Sequence, residues 1–126
     1  MLAAVLHDFN QLSPEDVSPP QAEKFGEVVV QIKSCGVCAT DYKAIKGIRK
    51  IVNFPLISGH EPSGVIVEVG PGVTEFSVGD EVICMPSGSC GFCEHCRSGT
   101  SHYCEHAFTT GGTGRKKSGP ALSLDT

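Results

Sequence analysis

Tryptophan is absent from this 126-residue chain, whereas 15 glycines and 8 prolines punctuate it. That balance favours turns and short strands over long helices. Long apolar runs are also missing, Val28-Val29-Val30 being typical, so no segment is a bilayer-spanning helix. Basic charge is not in excess: the formal net charge is −4, which argues against a nucleic-acid or acidic-membrane partner. The start of the chain, Met1-Leu-Ala-Ala-Val-Leu-His-Asp8, has no basic region ahead of an apolar stretch, so no signal peptide is read and a reducing, cytoplasmic setting is expected. A dinucleotide fingerprint is absent too. In Gly70-Pro-Gly72 the third glycine position is held by Glu75, and Gly79 follows too soon for the required helix. Gly111-Gly-Thr-Gly114 has no strand before it, and Arg115 parts it from Lys116 and Lys117, which are expected to be solvated rather than phosphate-binding.

With 40% hydrophobic and 19% charged residues, the chain is neither disordered nor fibrous, and its length suits a single domain. Strands are expected at 2–7, 27–33, 63–69 and 81–84, where β-branched residues lie between Gly, Pro and Asp turn signals. A stretch containing Pro and Asp runs from the first strand to Pro20, and 51–58 reads as loop or sheet edge. One short helix, 42–46, is expected with Asp41 as N-cap and Gly47 as its stop. Residues 85–104 show no periodicity, and 109–126 read as a polar tail. The expected fold is mainly β and barrel-like.

Seven cysteines are many for such a length, and an odd number resists complete disulfide pairing. Cys90, Cys93, Cys96 and Cys104 form C-x2-C-x2-C-x7-C. Two-residue gaps let thiolates turn onto one ion, and four sulfurs leave no open coordination position, so the spacing points to structural zinc. Two disulfides or an iron–sulfur cluster are the alternatives, as is a mixed site using His102 or His106. Apart from the sulfurs, only Phe92 and Tyr103 offer this lobe apolar support, while Arg97 and backbone N–H groups can offset its negative charge.

A second set is more open. Cys35-Gly-Val-Cys38 looks like a redox pair, but Thr40 and Asp41 follow closely and Gly59-His60-Glu61 comes later. A thiolate, an imidazole and nearby carboxylates are the beginnings of a catalytic zinc site. Gly59-His60-Glu61-x2-Gly64-x5-Gly70-x2-Val73 resembles the zinc signature of the medium-chain, zinc-dependent alcohol dehydrogenases. Cys35-Gly-Val-Cys-Ala-Thr-Asp41, Gly79-Asp80-Glu-Val82 and the four-cysteine loop stand in that family's order.

The resemblance spans residues 1 to about 106 and implies the family's GroES-like catalytic domain, a partly open β-barrel, over 1–108 with a zinc lobe at 85–105. It implies Cys38 and His60 as catalytic zinc ligands, with Glu61 as the carboxylate that approaches the metal during ligand exchange. It implies Asp41 as the acid orienting the histidine, Thr40 as the hydroxyl that relays the alcohol proton, and the four cysteines as structural zinc ligands. The implied reaction is oxidation of a small alcohol, or reduction of the carbonyl, with hydride transfer to NAD or NADP. No cofactor-binding residue is assigned. The family places its dinucleotide fingerprint and third catalytic zinc ligand beyond residue 126, so the isolated chain is expected to be inactive. A homo-oligomer is compatible with the full-length form. Cys35 and Cys84 match no ligand position and are read as small buried fillers, while His7, His95, His102 and His106 are read as solvated. The competing reading is a non-catalytic zinc-binding GroES-like module. A zinc-ribbon nucleic-acid binder lacks its paired knuckles and its basic charge.

Overall fold

The computed structural model describes residues 1–48, 54–86 and 88–106. The expected tail at 109–126, with the Gly111–Gly114 and Arg115–Lys117 stretches, lies outside the described residues, as do 51–53 of the expected loop. The elements in chain order are β1 (Leu2–Asp8), β2 (Gln11–Asp16), β3 (Val28–Gly36), α1 (Ala39–Ile45), β4 (Leu56–Ile57), β5 (Glu61–Val69), β6 (Glu81–Ile83) and α2 (Glu94–Arg97). A 3-10 turn, Ser101–Tyr103, follows. The strands form two antiparallel three-stranded sheets, ordered β2-β1-β4 and β3-β5-β6. The fold is therefore mainly β, as expected, with open sheets.

β5 shows why the second sheet forms. Pro62, Gly64 and Ile66 alternate inward while their neighbours lie nearer solvent, the period-two pattern of a half-covered strand. On β3 the alternation breaks, since both Val29 and Val30 are buried. The pairing with β5 shifts register between these two residues. Val30, Ile32 and Ile66 make the buried cluster, with Val28, Val69, Val82, Cys35 and Cys84 packed against it. Cys35 and Cys84 are half-buried members of this packing rather than fully buried fillers.

Two expectations are corrected. The stretch after β1 contains a strand, Gln11–Asp16, that composition hid because it is polar and holds Pro14. It survives as an edge strand, where a missing N–H costs no ladder bond. The helix runs Ala39–Ile45 rather than 42–46, and its N-cap is Cys38, with Asp41 at the third helical position. Gly47 does follow the helix in a left-handed conformation (φ 71°), as the stop signal implied. Asn10, in the turn between β1 and β2, donates its N–H to the Ile45 carbonyl at 2.8 Å and so ties the first sheet to the end of α1.

Candidate metal centres

Cys38 and Asp41 enter the first site from the junction of β3 with α1. His60 and Glu61 enter it from the start of β5. Pairing of β3 with β5, which sets Gly36 opposite Glu61, brings the two halves together. The turn before His60 uses Gly59 at φ 105°, a conformation that L-residues rarely adopt, and a β-carbon there would also stand 3.0 Å from Cys35 Sγ.

Cys38 Sγ and His60 Nε2 lie 3.2 Å apart. On its other side His60 Nδ1 lies 3.2 Å from Asp41 Oδ1, so the ring donates its Nδ1–H to the carboxylate and leaves the Nε2 lone pair facing the thiol. Asp41 is only 7% exposed, and both of its oxygens are committed. Oδ2 accepts the Cys38 backbone N–H at 3.0 Å, and Oδ1 also accepts from the Ser58 hydroxyl at 3.4 Å. Cys38, Asp41 and His60 form a group compact enough to enclose an ion, and within it Asp41 is bonded to the His60 ring. The Thr40 N–H donates to Cys38 Sγ at 3.3 Å. Glu61 stands beside this group without joining it, its Oε1 3.8 Å from His60 Nε2 and its side chain 48% exposed.

The second centre gathers the sulfurs of Cys90, Cys93, Cys96 and Cys104. Two opposite pairs, Cys90–Cys96 and Cys93–Cys104, are each separated by 3.9 Å. A zinc ion bound tetrahedrally at a Zn–S distance of about 2.3 Å requires an edge of about 3.8 Å, so the donor set fits that metal. Backbone N–H groups of Cys90, Cys93 and His106 point at the sulfurs, each at 3.3 Å. They provide the compensation that was expected in part from Arg97, which is exposed. Phe92 and Tyr103, expected to support the lobe, are each 67% exposed and do not build its core. The buried cluster is sulfur alone: Cys93 and Cys104, with Cys90 and Cys96 against them.

Two of the four thiols, Cys93 and Cys96, are shifted in opposite directions. The backbone hydrogen bond from Cys96 holds Cys93 down to about 6, while burial pushes Cys96 up to about 12. His102 and His106 take other roles: the His102 ring lies 4.3 Å from that of Tyr103, and the His106 ring 5.4 Å from that of Phe92. His7 is exposed but bonded to Glu15 at 2.6 Å, and with the Ser13 hydroxyl it holds the Glu15 carboxyl below its usual range, Ser13 having the larger effect. Burial raises the pKa of the Cys84 thiol, and the neighbouring Cys35 raises it further. Sequence reasoning missed Ser58, whose place two residues before His60 gave no chemical signal until the fold set it against Asp41.

The mainly β domain thus pairs an all-cysteine lobe with a Cys–His pair held by a buried carboxylate, two donor groups that could each hold a metal ion. The family described as the alcohol dehydrogenase GroES-like domain matches residues 24–121, and the chain belongs to that family. It is 46% identical over 114 residues to an alcohol dehydrogenase of Geobacillus stearothermophilus, covering 88% of this chain and 34% of that protein. It is 44% identical over 99 residues to the S-(hydroxymethyl)glutathione dehydrogenase of Escherichia coli O1:K1, covering 79% of this chain and 26% of the relative. A cobalt- and zinc-bound thermostable alcohol dehydrogenase from Pyrobaculum aerophilum superposes with a TM-score of 0.79 at 32% identity, covering 98% of this chain and 36% of that one. The chain thus spans about a third or less of the length of these relatives. Among the described residues no helix is long and apolar enough to cross a membrane.

Proposed function

We propose that the chain carries the metal-binding part of the active site of a zinc-dependent alcohol dehydrogenase. The reaction is oxidation of a small alcohol, or reduction of the matching carbonyl, with NAD or NADP as hydride carrier. The observation behind this reading is the convergence of Cys38 Sγ and His60 Nε2 at 3.2 Å while Asp41 holds the far side of the imidazole. A soft thiolate and an imidazole suit zinc, and two protein ligands leave room for others. When bound, zinc supplies Lewis-acid polarisation that lowers the pKa of an alcohol hydroxyl.

The chain's own residues do the rest. Asp41 fixes the His60 tautomer and, through the Cys38 N–H, the position of the thiolate. Thr40, in the first turn of α1, offers Oγ1 to take the alcohol proton and pass it on. Glu61 supplies a nearby carboxylate able to approach the metal during ligand exchange. Cys90, Cys93, Cys96 and Cys104 hold a structural zinc that organises the 85–105 lobe of the 1–108 unit. A cytoplasmic setting and a homo-oligomeric full-length form complete this reading.

Zinc stoichiometry tests the reading. At saturating zinc the purified chain should hold two ions, and Cys38→Ser or His60→Ala should each reduce this to one. A wild-type chain that binds one zinc, or a Cys38→Ser chain that still binds two, would overturn it in favour of a non-catalytic zinc-binding module.

A further inference from the structure

Gly36 ends β3 directly opposite Glu61 of β5. A β-carbon on Gly36 would fall 2.5 Å from Glu61 Oε2 and 3.2 Å from Glu61 Cβ. The carboxylate therefore occupies the space that any other residue at position 36 would fill. Its second oxygen, Oε1, faces His60 Nε2 at 3.8 Å. Gly36 does not adopt a left-handed conformation, since it is not among the positive-φ glycines. Backbone freedom thus does not explain the glycine, and the close approach of Glu61 does.

We infer that Gly36 is a positioning residue for the metal site: its bare Cα is the seat that holds the Glu61 carboxylate beside the Cys38–His60 pair. The inference rests on the reading that this pair binds zinc. With the seat filled by a methyl group, the Glu61 side chain, already 48% exposed, swings out toward solvent. A negative charge then leaves the neighbourhood of a dication. Supporting groups around metal ligands typically change affinity by about 10- to 100-fold, and loss of this one belongs at the lower end because Glu61 is partly screened.

The test is calorimetric titration of zinc into the full 126-residue chain with the four-cysteine centre already loaded, for wild type, Gly36→Ala, Glu61→Ala and the double variant. Glu61→Ala and Gly36→Ala should each weaken the second site by about tenfold, and Gly36→Ala should weaken it by less than about twofold further once the carboxylate is gone, because only the 3.2 Å approach to the β-carbon of residue 61 then remains. An unchanged or tighter site in Gly36→Ala overturns the inference, as does a loss that persists in the Glu61→Ala background. Loss of folding by far-ultraviolet circular dichroism in both backgrounds assigns Gly36 to strand geometry alone and overturns it as well. A wild-type chain with no second zinc overturns the metal-site reading and the inference together, which separates the two failures.

Discussion

Removing metal from the four-cysteine lobe should unfold that lobe and leave the β3-β5-β6 sheet standing. Among the described residues of the lobe, the buried cluster consists of Cys93 and Cys104 with Cys90 and Cys96 against it. Burial of two such small side chains contributes on the order of 1–2 kcal/mol each. A structural zinc contributes about 10–16 kcal/mol on folding, so the metal outweighs apolar burial several-fold. The sheet has its own cluster in Val30, Ile32 and Ile66, none of which belongs to the lobe. Hydrogen exchange resolves the two regions. Inside the lobe the Arg97 N–H donates to Cys93 O at 3.0 Å and the Thr100 N–H to His95 O at 2.8 Å. Both amides should lose protection by about a thousandfold or more on chelation or in Cys104→Ser, which corresponds to roughly 4 kcal/mol of local opening. Amides of β5 such as Ile66, which donates to Asp80 O at 2.9 Å, should change little. Retained protection at Arg97 and Thr100 without metal, or simultaneous loss across β5, would refute the reasoning.

Two further substitutions probe the site and its frame. Asp41→Asn keeps the shape of the buried carboxylate, but its amide has one acceptor oxygen where both the His60 ring and the Cys38 N–H need one. Zinc titration should show the Cys38–His60 site weakened by about 10- to 100-fold with the four-cysteine site unchanged, and equal weakening of both sites would count against the assigned role. Gly64→Ala puts a β-carbon 2.1 Å from the Gln31 carbonyl oxygen and 3.0 Å from Ile32 Cα, both backbone atoms of the paired strand. Overpacking of this kind costs about 3 kcal/mol, which a thermal melt should read as a fall of roughly 10 °C. Gly79→Ala meets open space but has φ 100°, so it should cost nearer 1 kcal/mol; a Gly79 variant as unstable as the Gly64 variant would contradict the packing argument.

The readable parts of the sequence were those in which local chemistry and the fold demand the same residues. The Cys90–Cys104 spacing specifies a tetrahedral sulfur cage because short gaps alone bring thiolates together, whatever surrounds them. Strands β1, β3 and β5 announced themselves through aliphatic runs because each faces a core. β2 did not, because an edge strand over a small sheet keeps polar residues and tolerates Pro14. The helix start was misplaced for an instructive reason. Asp is a strong N-cap by propensity, but here the Cys38 sulfur accepts the Thr40 N–H and Asp41 reaches back to the Cys38 N–H, a capping box led by cysteine. Phe92 and Tyr103 misled in the opposite sense: large apolar side chains are usually core, but a metal-stapled lobe is too thin to cover them.

That capping box also explains why the first site is coupled to local folding. One oxygen of Asp41 closes the first turn of α1, and the other holds the ring of His60, which arrives from β5. The helix start and the histidine orientation are therefore set by one buried side chain that neither element could satisfy alone. Were Asp41 only a cap, its buried second oxygen would keep only the long 3.4 Å bond from the Ser58 hydroxyl. Were it only a histidine partner, Cys38 would lack the N–H bond that fixes its backbone at an extended φ of −121° and aims Sγ at His60 Nε2. The carboxylate thus transmits the placement of one ligand to the other. The sequence distance of 22 residues between Cys38 and His60 is bridged by β3–β5 pairing at long range and by Asp41 at the last few ångströms.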